Sequence, residues 1–286
     1  HPVTEATTGL DLVELQIAVA SGDRLPAQPP ASTGHAIEVR LYAEDPARNW
    51  LPQTGTVEHF DVPNTETEFD NPRRAGIRLD SGIVTGSTVS VHYDPMLAKV
   101  IAVAPTRRAA AAMLSDALAR TRLHGVRTNR DLLVNVLRHP AFLAGDTDTA
   151  FFDTHGLDLL ATPLAGPGTV RLSAIAAALA DSALNRSTAT VLTGLPNGWR
   201  NVPSADQQKS YLSADGSEHR VAYRCTRTGV VLPDDDPVRL VTAAPDRVVL
   251  ADPTGAETRY GVARYGDTVC VDSIGGSVQF RVIPRL

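Results

Sequence analysis

The sequence predicts an α+β chain in two parts, and three observations carry that expectation. In the first half, short alternating segments precede two helical stretches. In the second half, one apolar helix precedes only strand-like segments. Between them, Thr162-Pro163 and Gly166-Pro167-Gly168 interrupt both patterns as a Pro/Gly linker. The expected domains are therefore 1–158 and 168–286, joined by a linker over 159–167.

In the first domain, residues 1–25 read as one helix. Thr8 is its cap candidate, Leu10, Val13, Ile17 and Ala20 share a face, and Gly22 and Pro26 stop it. Over 36–43, Ile37, Val39 and Leu41 alternate with Glu38, Arg40 and Tyr42, the pattern of a half-buried strand with a polar face. A second strand is expected over 55–62, a polar loop over 64–74, and further strands over 77–83, 88–93 and 97–103. Their spacing suggests an antiparallel sheet. Pro105 and Thr106 then open a helix whose alanine- and leucine-rich body runs over 109–122, with Gly125 ending it. Another follows over 129–138, closed by His139-Pro140.

In the second domain, the helix over 173–184 is apolar around most of its circumference, as a buried helix is. Eight strands are expected over 208–212, 219–226, 229–232, 239–243, 247–251, 257–265, 268–273 and 276–283. Gly, Asp and Pro separate them at short intervals, the pattern of a small barrel or sandwich.

Composition excludes several functions. Hydrophobic residues make up 43%, enough for a core, and the net charge of -5 comes without a basic patch, which argues against a nucleic-acid partner. No run approaches the ~20 apolar residues of a membrane span. The two cysteines, Cys225 and Cys270, suit a reducing cytoplasm better than a disulfide scaffold. No signal peptide is read, and a start at His1 suggests a processed product or fragment. The eight histidines are scattered, so no metal site is expected, and GxxxxGK[ST], GxGxxG, CxxC, HExxH and GxSxG strings are absent.

Local strings say more. They begin with His1-Pro2-Val3-Thr4-Glu5 and Thr8-Gly9-Leu10-Asp11-Leu12-Val13-Glu14. Gly34-His35-Ala36-Ile37-Glu38-Val39-Arg40, Ala43-Glu44-Asp45-Pro46 and Leu51-Pro52-Gln53-Thr54-Gly55 follow, then Arg78-Leu79-Asp80-Ser81-Gly82. Tyr93-Asp94-Pro95-Met96-Leu97-Ala98-Lys99 and Gly125-Val126-Arg127-Thr128-Asn129 complete the series. In this order they closely resemble biotin carboxylases of the ATP-grasp type over about 1–155. More weakly, Leu195-Pro196-Asn197-Gly198-Trp199-Arg200-Asn201 and Tyr211 resemble the linking domain of acyl-CoA carboxylase α subunits. The resemblance implies a biotin carboxylase C-terminal subdomain, an antiparallel sheet with helices, followed by a β-barrel around a central helix. It implies a ligase whose intact parent uses ATP, Mg²⁺, biotin and bicarbonate. The implied partners are a carboxyltransferase β subunit and a biotin carrier domain in a hetero-oligomer. No Met-Lys-Met string occurs, so this stretch reads as a middle piece of a longer α subunit, inactive by itself. Two alternatives are a non-catalytic assembly module and a piece of a related pyruvate or urea carboxylase.

By the same resemblance, Arg78 faces biotin and bicarbonate, where a permanently charged guanidinium stabilises negative charge developing on the ureido oxygen. The competing account is an arginine salt-bridged to Asp80 on a sheet surface. Thr149 matches a position near the family's adenine pocket. Other candidates read more plainly. Glu5 and Glu14 lie on a solvated helix face, Asp94 shapes a turn, and Lys99 is a surface lysine. Trp199 and Arg200 are either an interface anchor or a strand-end packing pair, and the aspartates at 234–236 form a solvated turn.

Overall fold

The computed structural model describes residues 1–191, 206–226, 229–233 and 236–284. The chain divides into two compact units, His1–Pro163 and Leu164–Leu286.

The first unit opens with two helices, α1 (Pro2–Thr8) and α2 (Leu12–Ala20), where one was expected. Gly9 takes a left-handed conformation (φ 73°) and ends α1. Asp11 then restarts the chain as an N-cap, its side chain accepting from the Glu14 N–H at 2.9 Å. The face expected to gather Leu10, Val13, Ile17 and Ala20 is open: Val13 is 53% and Ile17 64% exposed, and no residue of α2 is buried.

Ten strands follow in this unit. They are β1 (His35–Tyr42), β2 (Glu44–Asp45), β3 (Leu51–Pro52), β4 (Gly55–Thr56) and β5 (His59–Asp61). Next are β6 (Thr65–Glu68), β7 (Gly76–Ser81), β8 (Thr88–Val89), β9 (Met96–Ala104) and β10 (Arg122–His124). The main sheet has the order β1-β9-β7-β6. Its β1–β9 and β9–β7 pairs are antiparallel, but β6 runs parallel to β7. The expected polar loop over 64–74 thus contains an edge strand. Thr65-Glu66-Thr67-Glu68 alternates half-buried threonine with exposed glutamate, a strand pattern that its polar composition disguised. The single strand expected over 55–62 is two, because the chain changes partner midway. β4 pairs with β8, while β5 pairs with β10. Val57, fully buried, donates to Ser87 O, and Glu58 donates to His124 O. The strand expected over 88–93 shrinks to β8.

Helix α3 (Arg107–Arg120) begins where Thr106 Oγ1 accepts from the Ala109 N–H at 3.2 Å. It lays Ala110, Leu114, Ala117 and Leu118 on β1 and β9. It ends at Arg120 rather than Gly125, since β10 intervenes. Gly125 (φ 97°) instead turns so close to the Thr56 carbonyl that a Cβ would collide with it. Four helices complete the unit: α4 (Arg130–Arg138), α5 (Pro140–Ala144), α6 (Phe151–His155) and α7 (Leu157–Leu160).

The second unit is built on α8 (Pro167–Ser187), longer than expected at both ends. Pro167 occupies the first turn, where its missing N–H costs nothing, so the Gly-Pro-Gly string starts a helix rather than forming a linker. Around it run β11 (Gln207–Ser213), β12 (Glu218–Thr226), β13 (Gly229–Val231) and β14 (Arg239–Ala244). β15 (Arg247–Ala251), β16 (Glu257–Tyr265), β17 (Thr268–Ser273) and β18 (Gly276–Ile283) follow. All neighbours are antiparallel in the order β13-β12-β11-β18-β17-β16-β15-β14. The end strands β13 and β14 approach each other and nearly close a barrel. Ser173 through Ala180 are all buried, which is possible only for a helix enclosed on every side. Alanines let Tyr211, Phe280, Val248, Val269 and Val271 close around it. The polar end of this packing is an ion-pair set: Asp181 on α8 meets Lys209 of β11 and Arg264 of β16, and Arg264 also donates to Ala177 O at 2.8 Å.

Candidate anion-binding site

Arg78 sits on β7, but neither as an open catalytic cation nor as a surface residue. It is 6% exposed. Nε and Nη2 each donate to an Asp80 carboxylate oxygen at 2.8 Å. Nη1 donates to Glu5 Oε2 at 3.2 Å and Asn71 Oδ1 at 2.9 Å. These carboxylates hold Arg78 charged: its pKa is raised chiefly by the Asp80 hydrogen bonds, against the opposing effect of burial. Four side-chain hydrogen bonds and near-complete burial leave Arg78 little to offer a further anion. The geometry corrects the expectation for Glu5 too. Rather than lying solvated, Glu5 reaches Arg78 and its Oε1 accepts from the Leu12 N–H at 3.2 Å, tying α1 to the sheet and to α2.

The other expected residues fall as follows. Thr149 is exposed in the turn before α6 and does not line the cavity beside α6 formed by Ala141, Asp148, Phe151 and His155. Glu14 is exposed. Asp94 accepts from the Met96 N–H at 2.8 Å, as a turn-shaping residue does. Lys99 is half-buried on β9, opposite Arg40 on one side and Asp80 on the other. Trp199, Arg200, Asp234 and Asp235 lie outside the described residues. Among the described residues, no group of three or more His, Cys, Asp or Glu side chains is placed to hold a metal ion.

The open cation is Arg40. A cavity of about 390 Å³ lies along β1 and α4, walled by apolar groups including Trp50, Leu133, Val136 and Phe142. Glu38, Arg40, Tyr42, Glu44 and Asn129 supply its polar lining, and Arg40 is the one cation in that set. The Arg40 side chain is 58% exposed, with Nε 3.5 Å from Glu38 Oε1. The Tyr42 hydroxyl, then the Glu38 carboxylate, push its pKa further up. Trp50 reaches the cavity from a left-handed backbone (φ 58°), directly after Asn49 in the same region (φ 53°). The sequence carried a signal for this site. Glu38, Arg40 and Tyr42 are the polar side of an alternating strand, and polar alternation alone does not separate a solvated face from one that lines a cavity.

Comparison with known proteins fits this architecture. The family model for the biotin carboxylase C-terminal domain matches residues 38–154. That for the methylcrotonyl-CoA carboxylase alpha-subunit BT domain matches residues 170–285. Over 164 residues the chain is 40% identical to the mitochondrial methylcrotonoyl-CoA carboxylase subunit alpha of Rattus norvegicus, a match covering 57% of this chain and 22% of the relative. It is 44% identical over 157 residues to the biotin carboxylase of Halalkalibacterium halodurans, covering 54% of this chain and 32% of that one. Among solved structures, the biotin carboxylase subunit of a pyruvate carboxylase superposes with a TM-score of 0.51 at 34% identity, covering 57% of this chain and 34% of that one. The complete pyruvate carboxylase of Rhizobium etli gives 0.52 at 30% identity, covering 65% and 18%.

The first unit is thus of the biotin-dependent carboxylase class. The second narrows the likeness: with both domain matches in this order, the chain is similar to biotin-dependent acyl-CoA carboxylase α subunits. It spans about a fifth of the methylcrotonoyl-CoA carboxylase subunits and a third of the biotin carboxylases that it matches.

Proposed function

We propose that this chain serves the ATP- and bicarbonate-dependent carboxylation of biotin, with Arg40 as the residue that meets the reacting anion. The observation that carries the reading is the exposed guanidinium of Arg40, the lone cation lining a largely apolar cavity that Glu38, Tyr42, Glu44 and Asn129 also border, within a stretch matched by the biotin carboxylase C-terminal domain. Removing the proton from the ureido nitrogen of biotin builds negative charge on its oxygen. Arg40 remains protonated at every working pH and stabilises that charge without itself moving a proton. Glu38 Oε1 stands 3.5 Å from Nε, and the Arg40 side chain stays 58% exposed, open to an incoming anion. Arg78 then serves as the buried clamp that fixes α1 to the sheet, not as the anion-binding residue.

ATP, Mg²⁺, biotin and bicarbonate are the cofactors and substrates of this reading. Thr149, exposed near α6, is retained as a proposed contact on the nucleotide side. For the second unit, the BT-domain match supports docking to a carboxyltransferase β subunit and proximity to a biotin carrier domain in a hetero-oligomer. Cys225 and Cys270, neither of them in a disulfide, support a reducing compartment such as the cytoplasm. The test is transfer of labelled bicarbonate to biotin by the full-length α subunit. Incorporation that requires ATP is the expected result. A purified, folded subunit that transfers no label overturns the proposal.

A further inference from the structure

We infer that Asn129 is a positioning residue for Arg40, an inference that rests on the anion-binding reading above. Asn129 is the N-cap of α4, where an asparagine side chain ordinarily accepts from the first turn of its own helix. Here that side chain makes no capping bond. It is 5% exposed and turned onto the neighbouring strand. Oδ1 accepts from the Tyr42 N–H at 3.0 Å, Nδ2 donates to the Arg40 carbonyl at 3.1 Å, and the Asn129 N–H donates to the Tyr42 carbonyl at 3.2 Å.

The place of these bonds gives them their meaning. β1 is an edge strand of its sheet, so one row of its backbone groups has no strand partner. Its pairing with β9 also slips between Leu41 and Tyr42, and such a bulge re-aims the side chains around it. Asn129 grips both sides of that slip. It therefore sets the backbone from which Arg40 and Tyr42 project into the cavity. The turn that presents Asn129 is itself held, because Arg127 Nη1 donates to the buried Asp45 carboxylate at 2.6 Å. A side chain that had only to start α4 would cap it. This one forgoes the cap and makes two bonds to the backbone, across 87 and 89 residues, beside a third from the residue's main-chain N–H.

The test is a double-mutant cycle in the full-length α subunit, read as biotin-dependent ATP hydrolysis. Asn129→Ala is expected to lower kcat about tenfold or more, as misplacement of a catalytic group by a fraction of an ångström does, with KM for ATP unchanged. In an Arg40→Ala background the same change should cost less than twofold, because the group it positions is gone. Asn129→Asp keeps the acceptor for Tyr42 and removes the donor to Arg40, so it should fold and show the same loss. Independently of turnover, the Arg40 Nε–H NMR signal of this chain should move in Asn129→Asp. A wild-type rate in Arg40→Ala overturns the anion-binding reading itself. An impaired Arg40→Ala with a wild-type Asn129→Ala, losses that multiply in the double variant, or an unmoved Arg40 signal overturns only the positioning role. Failure of both Asn129 variants to fold assigns Asn129 to stability alone and overturns it too.

Discussion

Asn129 Nδ2 donates to the carbonyl of Arg40 at 3.1 Å, across 89 residues of sequence. This bond joins the start of one helix to the free edge of the sheet, at the residue whose guanidinium faces the cavity. It places the cation that lines the cavity on a strand rather than on a loop. That arrangement suits a site that must hold a charge in one position.

Arg78 makes the opposite case, a cation enclosed by its partners. Removing it leaves Glu5 and Asp80 nearly buried without a counter-charge. Arg78→Ala is expected to destabilise the first unit by about 3–5 kcal/mol, the scale of a broken buried ion pair. Arg78→Lys restores the charge but not the paired contact with Asp80, so it should recover only part of this. Urea unfolding of the chain checks both. A loss below about 1 kcal/mol, as surface pairs give, would contradict the buried clamp.

Much of this was legible in the sequence, and the gaps have physical causes. In the second unit, strands over 247–251, 257–265, 268–273 and 276–283 match the observed bounds, because Gly and Asp turns punctuate a clean alternation. The choice of barrel over sandwich was foreshadowed by α8, whose apolar residues run all round it. β6 was hidden by its Thr-Glu composition, and the break between α1 and α2 by an apolar periodicity that runs through Gly9. The site was only half legible. Arg78 and Arg40 lie in equally distinctive strings, and only the fold shows that one is enclosed by carboxylates and the other is open.

The barrel should lose stability at high pH through its buried tyrosines. Burial, and secondarily the Asp181 carboxylate, push the Tyr211 hydroxyl well above its ordinary value of about 10. The folded state therefore keeps this proton where the unfolded state has lost it. The stabilisation is complete below about pH 10 and is lost as pH rises toward the folded value. Tyr211→Phe should flatten the slope of unfolding free energy between about pH 10 and 11.5. It should not abolish the slope, since burial raises Tyr223 and Tyr260 as well. An unchanged slope in the variant would contradict the assignment.

Helix α8 leaves no room for larger side chains. Ala176 and Ala178 are fully buried among barrel residues. Ala176→Leu is expected to cost about 1–3 kcal/mol by overpacking, read as a lower midpoint in thermal or urea unfolding. An equal or higher midpoint would mean that the barrel has space around its helix that the packing denies.

In the turn between β11 and β12, Asp215 should titrate unusually low. The Ser213 hydroxyl, the Ser217 N–H and the Ser217 hydroxyl all donate to its carboxylate and hold its pKa at about 2. Its contribution to stability is present above the unfolded value of about 3.9 and is lost as pH falls through the folded one. Carboxyl NMR shifts followed from pH 5 to 1.5 check this, and Ser217→Ala should raise the midpoint. A midpoint near the ordinary aspartate value in the parent chain would contradict it.

The central claim is that the anion meets Arg40 and not Arg78. The most direct measurement compares Arg40→Ala with Arg78→Lys in the full-length α subunit, following biotin-dependent ATP hydrolysis and unfolding on the same preparations. The account predicts that Arg40→Ala unfolds like the parent and loses about 10²-fold in kcat, the usual size for one transition-state donor. Arg78→Lys, in contrast, should unfold earlier but retain most of its rate while folded. Near-parental kcat in Arg40→Ala, together with a folded but inactive Arg78→Lys, would contradict it.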